Sequence, residues 1–131
     1  MKKAVPVSTL AVLLLLTLLS FASLRAADPK GQMASPQSVT VKGEVLDMAC
    51  YTAKGAMGAK HRECALACLK MGQPMGLRTS DGKVYLLVAD HQNSKPFDEA
   101  KGYAADQVEV TGSVAERDGL SALTVESIKK L

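Results

Sequence analysis

Ser38-Val39-Thr40-Val41-Lys42-Gly43-Glu44-Val45-Leu46-Asp47 is the stretch on which the fold turns. Val39, Val41, Gly43 and Val45 fall on one side of an extended chain, and Thr40, Lys42, Glu44 and Leu46 on the other. That period-two alternation is the pattern of a strand with one buried face. A glycine inside such a strand contributes no packing, so Gly43 predicts a bulge or a sharp bend. The strand is expected to end near Asp47-Met48-Ala49-Cys50-Tyr51.

Toward the C-terminus, Gly55 and Gly58 break the chain before a compact helix expected over Lys60 to Met71. Lys70 in its last turn, Gly72 just beyond and Pro74 are stop signals. Met75 to Thr79 and Lys83 to Ala89 read as a hairpin around Ser80-Asp81-Gly82. A polar loop, Asp90 to Pro96, leads to a short helix over Phe97 to Ala105. Two long strands follow, Gln107 to Glu116 and Ala122 to Ile128, joined at Arg117-Asp118-Gly119. Gly112 repeats in the fourth strand the signal of Gly43 in the first.

Five strands with a helix between the third and fourth is the connectivity of an OB-fold. Bends at Gly43 and Gly112 suit the closure of a small barrel. The expected class is therefore mainly β: a small five-stranded OB-fold-like barrel, with an inserted helix between strands 1 and 2 and a short helix between strands 3 and 4. An open β-meander capped by helices is the alternative.

Toward the N-terminus, Met1-Lys2-Lys3 is basic, Leu10 to Leu19 is almost wholly aliphatic, and small residues fill Ser20 to Ala27. This is the order of a secretory signal peptide cleaved after Ala26, with Ala22 as a second site. An uncleaved anchor is the alternative, because residues 4–24 are about long enough to cross a bilayer. The expected organisation is a signal peptide at 1–26, a flexible linker at 27–37 containing Pro29, Gly31, Ser35 and Pro36, and one domain at 38–131. The protein is expected to be exported, periplasmic or secreted, with no stable membrane association after cleavage.

The leader also explains the charge. The chain carries +3, and without Lys2, Lys3 and Arg25 there remain 13 basic residues against 13 acidic ones. Nucleic-acid binding needs a clustered positive field, and none is present. About 105 residues follow the leader, enough for one domain. With no Trp and few aromatics, the core must be aliphatic, and a covalent or metal staple would help it.

The chemistry-bearing pattern is Cys50-x10-His61-x2-Cys64-x3-Cys68. At about 100° per helical residue, His61, Cys64 and Cys68 share a sector of about 60°, and Cys50 must fold back from the end of the first strand. Three thiolates and an imidazole match a tetrahedral Cys3His site for Zn²⁺. Soft thiolates also suit Cu(I), with Met48, Met57, Met71 and Met75 as neighbouring thioethers. There is no C-x-x-C-H for haem attachment.

Other readings use fewer of these residues. Cys50 could form a disulfide with Cys64 or Cys68, as exported chains commonly do, stapling a module that binds a protein, peptide or glycan. That leaves an odd thiol to explain. The stripe could be the buried face of an amphipathic helix. A thiol-redox role would draw on His61 and Lys60 to lower a thiol's pKa, without a C-x-x-C motif. A metal ion alone uses all four residues. Asp47 is either a carboxylate behind His61 or a strand-end turn residue. His91 reads as a solvated loop residue with a fifth ligand as the lesser option, and Tyr51 as packed against the helix. No Ser-His-Asp order, phosphate loop or carboxylate dyad is present, so the expected role is non-catalytic. The expected partners are a metal ion and an envelope protein.

Gly43-Glu44-Val45-Leu46-Asp47-Met48-Ala49-Cys50-Tyr51, His61-x2-Cys64-x3-Cys68 and Gly72-x-Pro74-x-Gly76-Leu77 together resemble a group of small exported bacterial proteins. Val108-Glu109-Val110-Thr111-Gly112 with Glu116-Arg117-Asp118-Gly119 is similar to the final hairpin of periplasmic OB-fold proteins. The resemblance implies export and an OB-fold-like domain. It implies no activity.

Overall fold

The computed structural model describes residues 37–131. The expected signal segment at 1–26, and the expected linker as far as residue 36, lie outside the described residues. The order is β1 (Ser38–Asp47), α1 (Met48–Lys54), a 3-10 turn (Ala59–His61), α2 (Arg62–Lys70), β2 (Met75–Arg78), β3 (Val84–Ala89), α3 (Lys95–Ala100), a second 3-10 turn (Lys101–Tyr103), β4 (Gln107–Arg117) and β5 (Leu120–Lys130).

The strands close into a ring in the order β1-β2-β3-β5-β4, so the sheet is not the open meander. Every neighbouring pair is antiparallel except β3 and β5, which run parallel from Leu86↔Ala122 to Ala89↔Val125. β1 holds the ring together. Its first part pairs with β4, from Ser38↔Ser113 to Glu44↔Gln107, and its last part with β2, from Glu44↔Arg78 to Asp47↔Met75.

Both glycines flagged by the sequence are steric necessities. A Cβ on Gly43 would lie 2.4 Å from the Arg78 carbonyl oxygen, so a side chain there would push β2 away from β1. At Gly112 the β4–β5 register shifts between Thr111 and Gly112, and a Cβ would meet the Thr124 carbonyl oxygen at 1.8 Å. The register irregularity therefore lies at Gly112, while the β1–β4 register runs unbroken through Gly43, where a bulge was the expectation. At Gly43 the requirement is close approach.

The interior is aliphatic, as the composition demands. Val45, Leu77, Leu87, Val108, Val110, Leu123 and Val125 come from the strands, and Ala65 and Leu69 from α2. Each large aliphatic side chain removed from water stabilises by about 1.5–3 kcal/mol. The small Ala65, Ala100 and Ala104 are fully buried where the helical segments meet the strands. Tyr85, Phe97 and Tyr103 pack only at the margin.

Besides α1, which the sequence reading did not anticipate, two elements differ from expectation. The end of β1 is buried on both faces: Glu44, Leu46 and Asp47 are buried along with Val45. Gly58 N–H donates to Glu44 Oε1 at 2.5 Å, drawing the chain between β1 and β2 back over this strand. Secondly, α3 begins at Lys95 instead of Phe97. Pro96 belongs to its first turn, where the fixed φ and missing N–H of proline cost nothing. Among the described residues, no helix is long and apolar enough to cross a membrane.

Candidate metal centre

Asp47 decides where the strand stops. Its backbone is still extended (φ −78°, ψ 112°), while its Oδ1 accepts the N–H of Ala49 at 3.0 Å and of Cys50 at 3.4 Å. A carboxylate at that position satisfies amide donors that a helix start leaves unpaired. The chain therefore turns into α1 at once. Cys50 was expected at a strand end; it sits instead in the first turn of α1. Gly55, left-handed at φ 65°, ends the helix, its N–H reaching the carbonyls of Cys50 and Tyr51.

The Glu44–Gly58 bond and the 3-10 turn then carry His61 back to the strand end, with Nε2 3.4 Å from Asp47 Oδ2. α2 is fixed independently by Arg62. Its Nη1 lies 2.8 Å from the Ala104 carbonyl oxygen and 2.6 Å from Asp106 Oδ2, and its Nη2 lies 3.5 Å from the Gly102 carbonyl oxygen. Lys130 Nζ approaches the same Asp106 oxygen at 3.0 Å. These contacts to Oδ2 are ionic, without well-directed hydrogen bonds. Ala65 and Leu69 point α2 into the core, and the adjoining sector carries Cys64 and Cys68.

The result is two triangles of donor atoms. The sulfurs of Cys50, Cys64 and Cys68 all lie within 4.8 Å of one another, and so do the ligand atoms of Asp47, Cys50 and His61. Cys50 belongs to both. The four residues named from the sequence are thus brought together around Cys50, and Asp47 joins them. Zn–S bonds of about 2.3 Å put tetrahedral sulfurs about 3.8 Å apart, a spacing about 1 Å inside the 4.8 Å limit of the thiol triangle. All three cysteines are free thiols. Accessibility falls steadily inward: Cys64 is exposed, Cys50 and Cys68 are half-buried, and the side chains of His61 and Asp47 are 17% and 0% accessible.

Electrostatics makes this a site that lacks positive charge. Burial alone would raise the Asp47 carboxyl. Hydrogen bonds from the Cys50 thiol and N–H, from His61 and from the Ala49 N–H outweigh it and hold the group below its usual 3.8. The Cys50 thiol is pushed up to about 12, first by its hydrogen bond to the Asp47 carboxylate, then by burial and by Cys64. Burial, and then the charge of Asp47, raise Cys68 as well. A bound cation inverts this balance, because metal-bound thiols ionise. Without one, Cys50 is a poor nucleophile, the opposite of what thiol-redox chemistry requires. His61 Nε2 faces Asp47 Oδ2 at 3.4 Å, a contact of the kind by which a carboxylate orients a ligating imidazole.

The remaining candidates lie elsewhere. Met75 is buried in the core, and Met57 and Met71 are exposed at 39% and 74%. His91 is exposed in the β3–α3 loop and belongs to neither triangle. Tyr51 is half-buried on α1. Sequence reasoning missed α1 and the Arg62 anchor. Asp47 ahead of a helix-compatible Met48-Ala49 is an N-cap signal that would have found the first; nothing local marks the second.

Compared with protein-family models, with curated proteins and with solved structures, the chain finds no match.

Proposed function

We propose that the protein is an exported, non-catalytic OB-fold domain that binds one soft or borderline metal ion, Zn²⁺ or Cu(I), through Cys50, Cys64, Cys68 and His61. One observation carries the reading: three thiol sulfurs from two separate helices converge within 4.8 Å. Cysteines that merely fill a core have no reason to face one another beside a carboxylate. Three thiolates with an imidazole form a donor set favoured by Zn²⁺, and the sulfur content favours Cu(I). Asp47 is placed to orient His61 from behind. The OB-fold part of the proposal draws support from the strand order, the parallel β3–β5 pair and the α3 connection ahead of β4. Export is carried by the leader alone.

The test is simultaneous thiol and metal counting on protein purified under reducing, anaerobic conditions and reconstituted with Zn²⁺ or Cu(I). One ion per chain, with all three thiols protected from alkylation, is the expected result. Three reactive thiols and no retained ion would overturn the proposal.

A further inference from the structure

The proposed site leaves open whether the ion is a staple that the domain needs in order to fold, or a cargo that it carries. Three observations address this. The buried core contains none of the four ligands: Val45, Leu77, Leu87, Val108, Leu123 and Val125 close the interior among themselves and with α2. Both ligand-bearing helices are held by contacts that involve no sulfur. Asp47 Oδ1 starts α1, and Arg62 ties α2 to the carbonyls of Ala104 and Gly102 and to Asp106. Finally, the ligand set is graded, with the His61 side chain 17% accessible beside the strand end and Cys64 exposed.

A structural zinc in a small domain supplies folding energy outright, and its removal unfolds the chain. Here the scaffold is complete before the ligands are counted. An exposed ligand also opens an associative route. An incoming thiolate can bond to the ion before any resident bond breaks, which removes the cost of releasing a bare ion. A fully enclosed four-ligand site offers no such approach.

We infer that the ion is exchangeable cargo, passed at the Cys64 side to or from a partner that presents its own thiolate or thioether donors. The inference rests on the metal-binding reading. In the exchange step a partner sulfur bonds to the ion, the Cys64–metal bond breaks, and the released thiolate takes up a proton. The remaining ligands follow in turn. The ion keeps its oxidation state, so no oxidant or reductant is consumed.

Two measurements on the full chain test this. The zinc-loaded protein is first stripped with a chelator under reducing conditions, and its fold is followed by circular dichroism and thermal melting. The expected result is a retained β-sheet spectrum and a cooperative melt; an unfolded, metal-free chain would make the ion a staple and overturn the inference. In the second, zinc transfer to 4-(2-pyridylazo)resorcinol is timed over a tenfold range of acceptor concentration. A rate rising about tenfold is expected. A rate independent of acceptor means that the ion must leave unaided, and would overturn the inference while leaving the metal-binding reading intact. Retention of neither zinc nor Cu(I) at the outset would instead defeat that reading, and the inference with it.

Discussion

Replacing Asp47 with Asn separates the charge of this residue from its shape. Asn caps a helix about as well as Asp, so α1 is expected to persist and stability to change by no more than about 1 kcal/mol. What disappears is the carboxylate to which the Cys50 thiol donates, the leading cause of its rise to about 12. At pH 8 a thiol of that pKa is ionised about once in ten thousand molecules, and one at the ordinary 9.0 about once in ten. Burial and the Cys64 thiol continue to act in the variant, so recovery is partial, on the order of two pKa units. That is about a hundredfold more thiolate. Intrinsic nucleophilicity falls by about half a log unit per pKa unit, leaving a net gain of about tenfold in alkylation rate. The assay is iodoacetamide labelling of the reduced, metal-free protein at pH 8, followed by peptide mass mapping, with Cys64 as the internal reference. A Cys50 rate within twofold of the original, in a variant that still folds, would refute the account of Asp47 as the group that keeps this thiol protonated.

Three further outcomes are expected. Arg62→Met removes two carbonyl contacts and half of the charge around Asp106, and should cost about 2–3 kcal/mol in urea denaturation. Solvent reaching a third of the Arg62 side chain keeps this below the full cost of breaking a buried pair; a loss under about 0.5 kcal/mol would remove Arg62 from its role as anchor. Asp106 is lowered below 3.8: burial opposes ionisation, and the close cationic groups of Arg62 and Lys130 outweigh it. A depressed carboxyl stabilises above its unfolded pKa, and that contribution is lost as pH falls through the folded value. Melting temperature should therefore hold down to about pH 4 and drop below it, and Asp106→Asn should flatten the acid limb; an unchanged limb would contradict this. Zinc binding at pH 7 should release at least two protons, from Cys50 and Cys68, measured by calorimetry in buffers of different ionisation enthalpy. Release of fewer than one would mean that these thiols do not ligate.

The strands were legible because their signals are local. Val39 to Val45 alternate, Asp81-Gly82 turns the hairpin, and Gly112 stands where a side chain cannot. Ring closure follows from strand number and order, which a one-dimensional pattern can carry. The His61, Cys64 and Cys68 sector was legible for the same reason, since 3.6-residue periodicity puts them together whatever surrounds them. The position of Cys50 was not. Whether Asp47 ends a strand or caps a helix depends on the helix that follows, and seven residues from Met48 to Lys54 are too few for periodicity to announce one. Arg62 and Asp106 meet across roughly forty residues of chain, a relationship that no local pattern encodes. Leu46 and Glu44 read as a solvent face because the segment that covers them lies further along the chain.

The double service of β1 has a consequence for the order of assembly. Its pairing with β2 joins residues roughly 30 positions apart, but its pairing with β4 joins residues roughly 60–75 positions apart, and the more distant contacts form later and more slowly. The four proposed ligands, Cys50 to Cys68, lie in the segment between β1 and β2. A folding chain therefore has its sulfurs in place while the ring is still open, and for that interval they are more accessible to ions and oxidants than they will be again. The pace of ring closure, set by residues far from any ligand, governs how long the thiols remain unguarded.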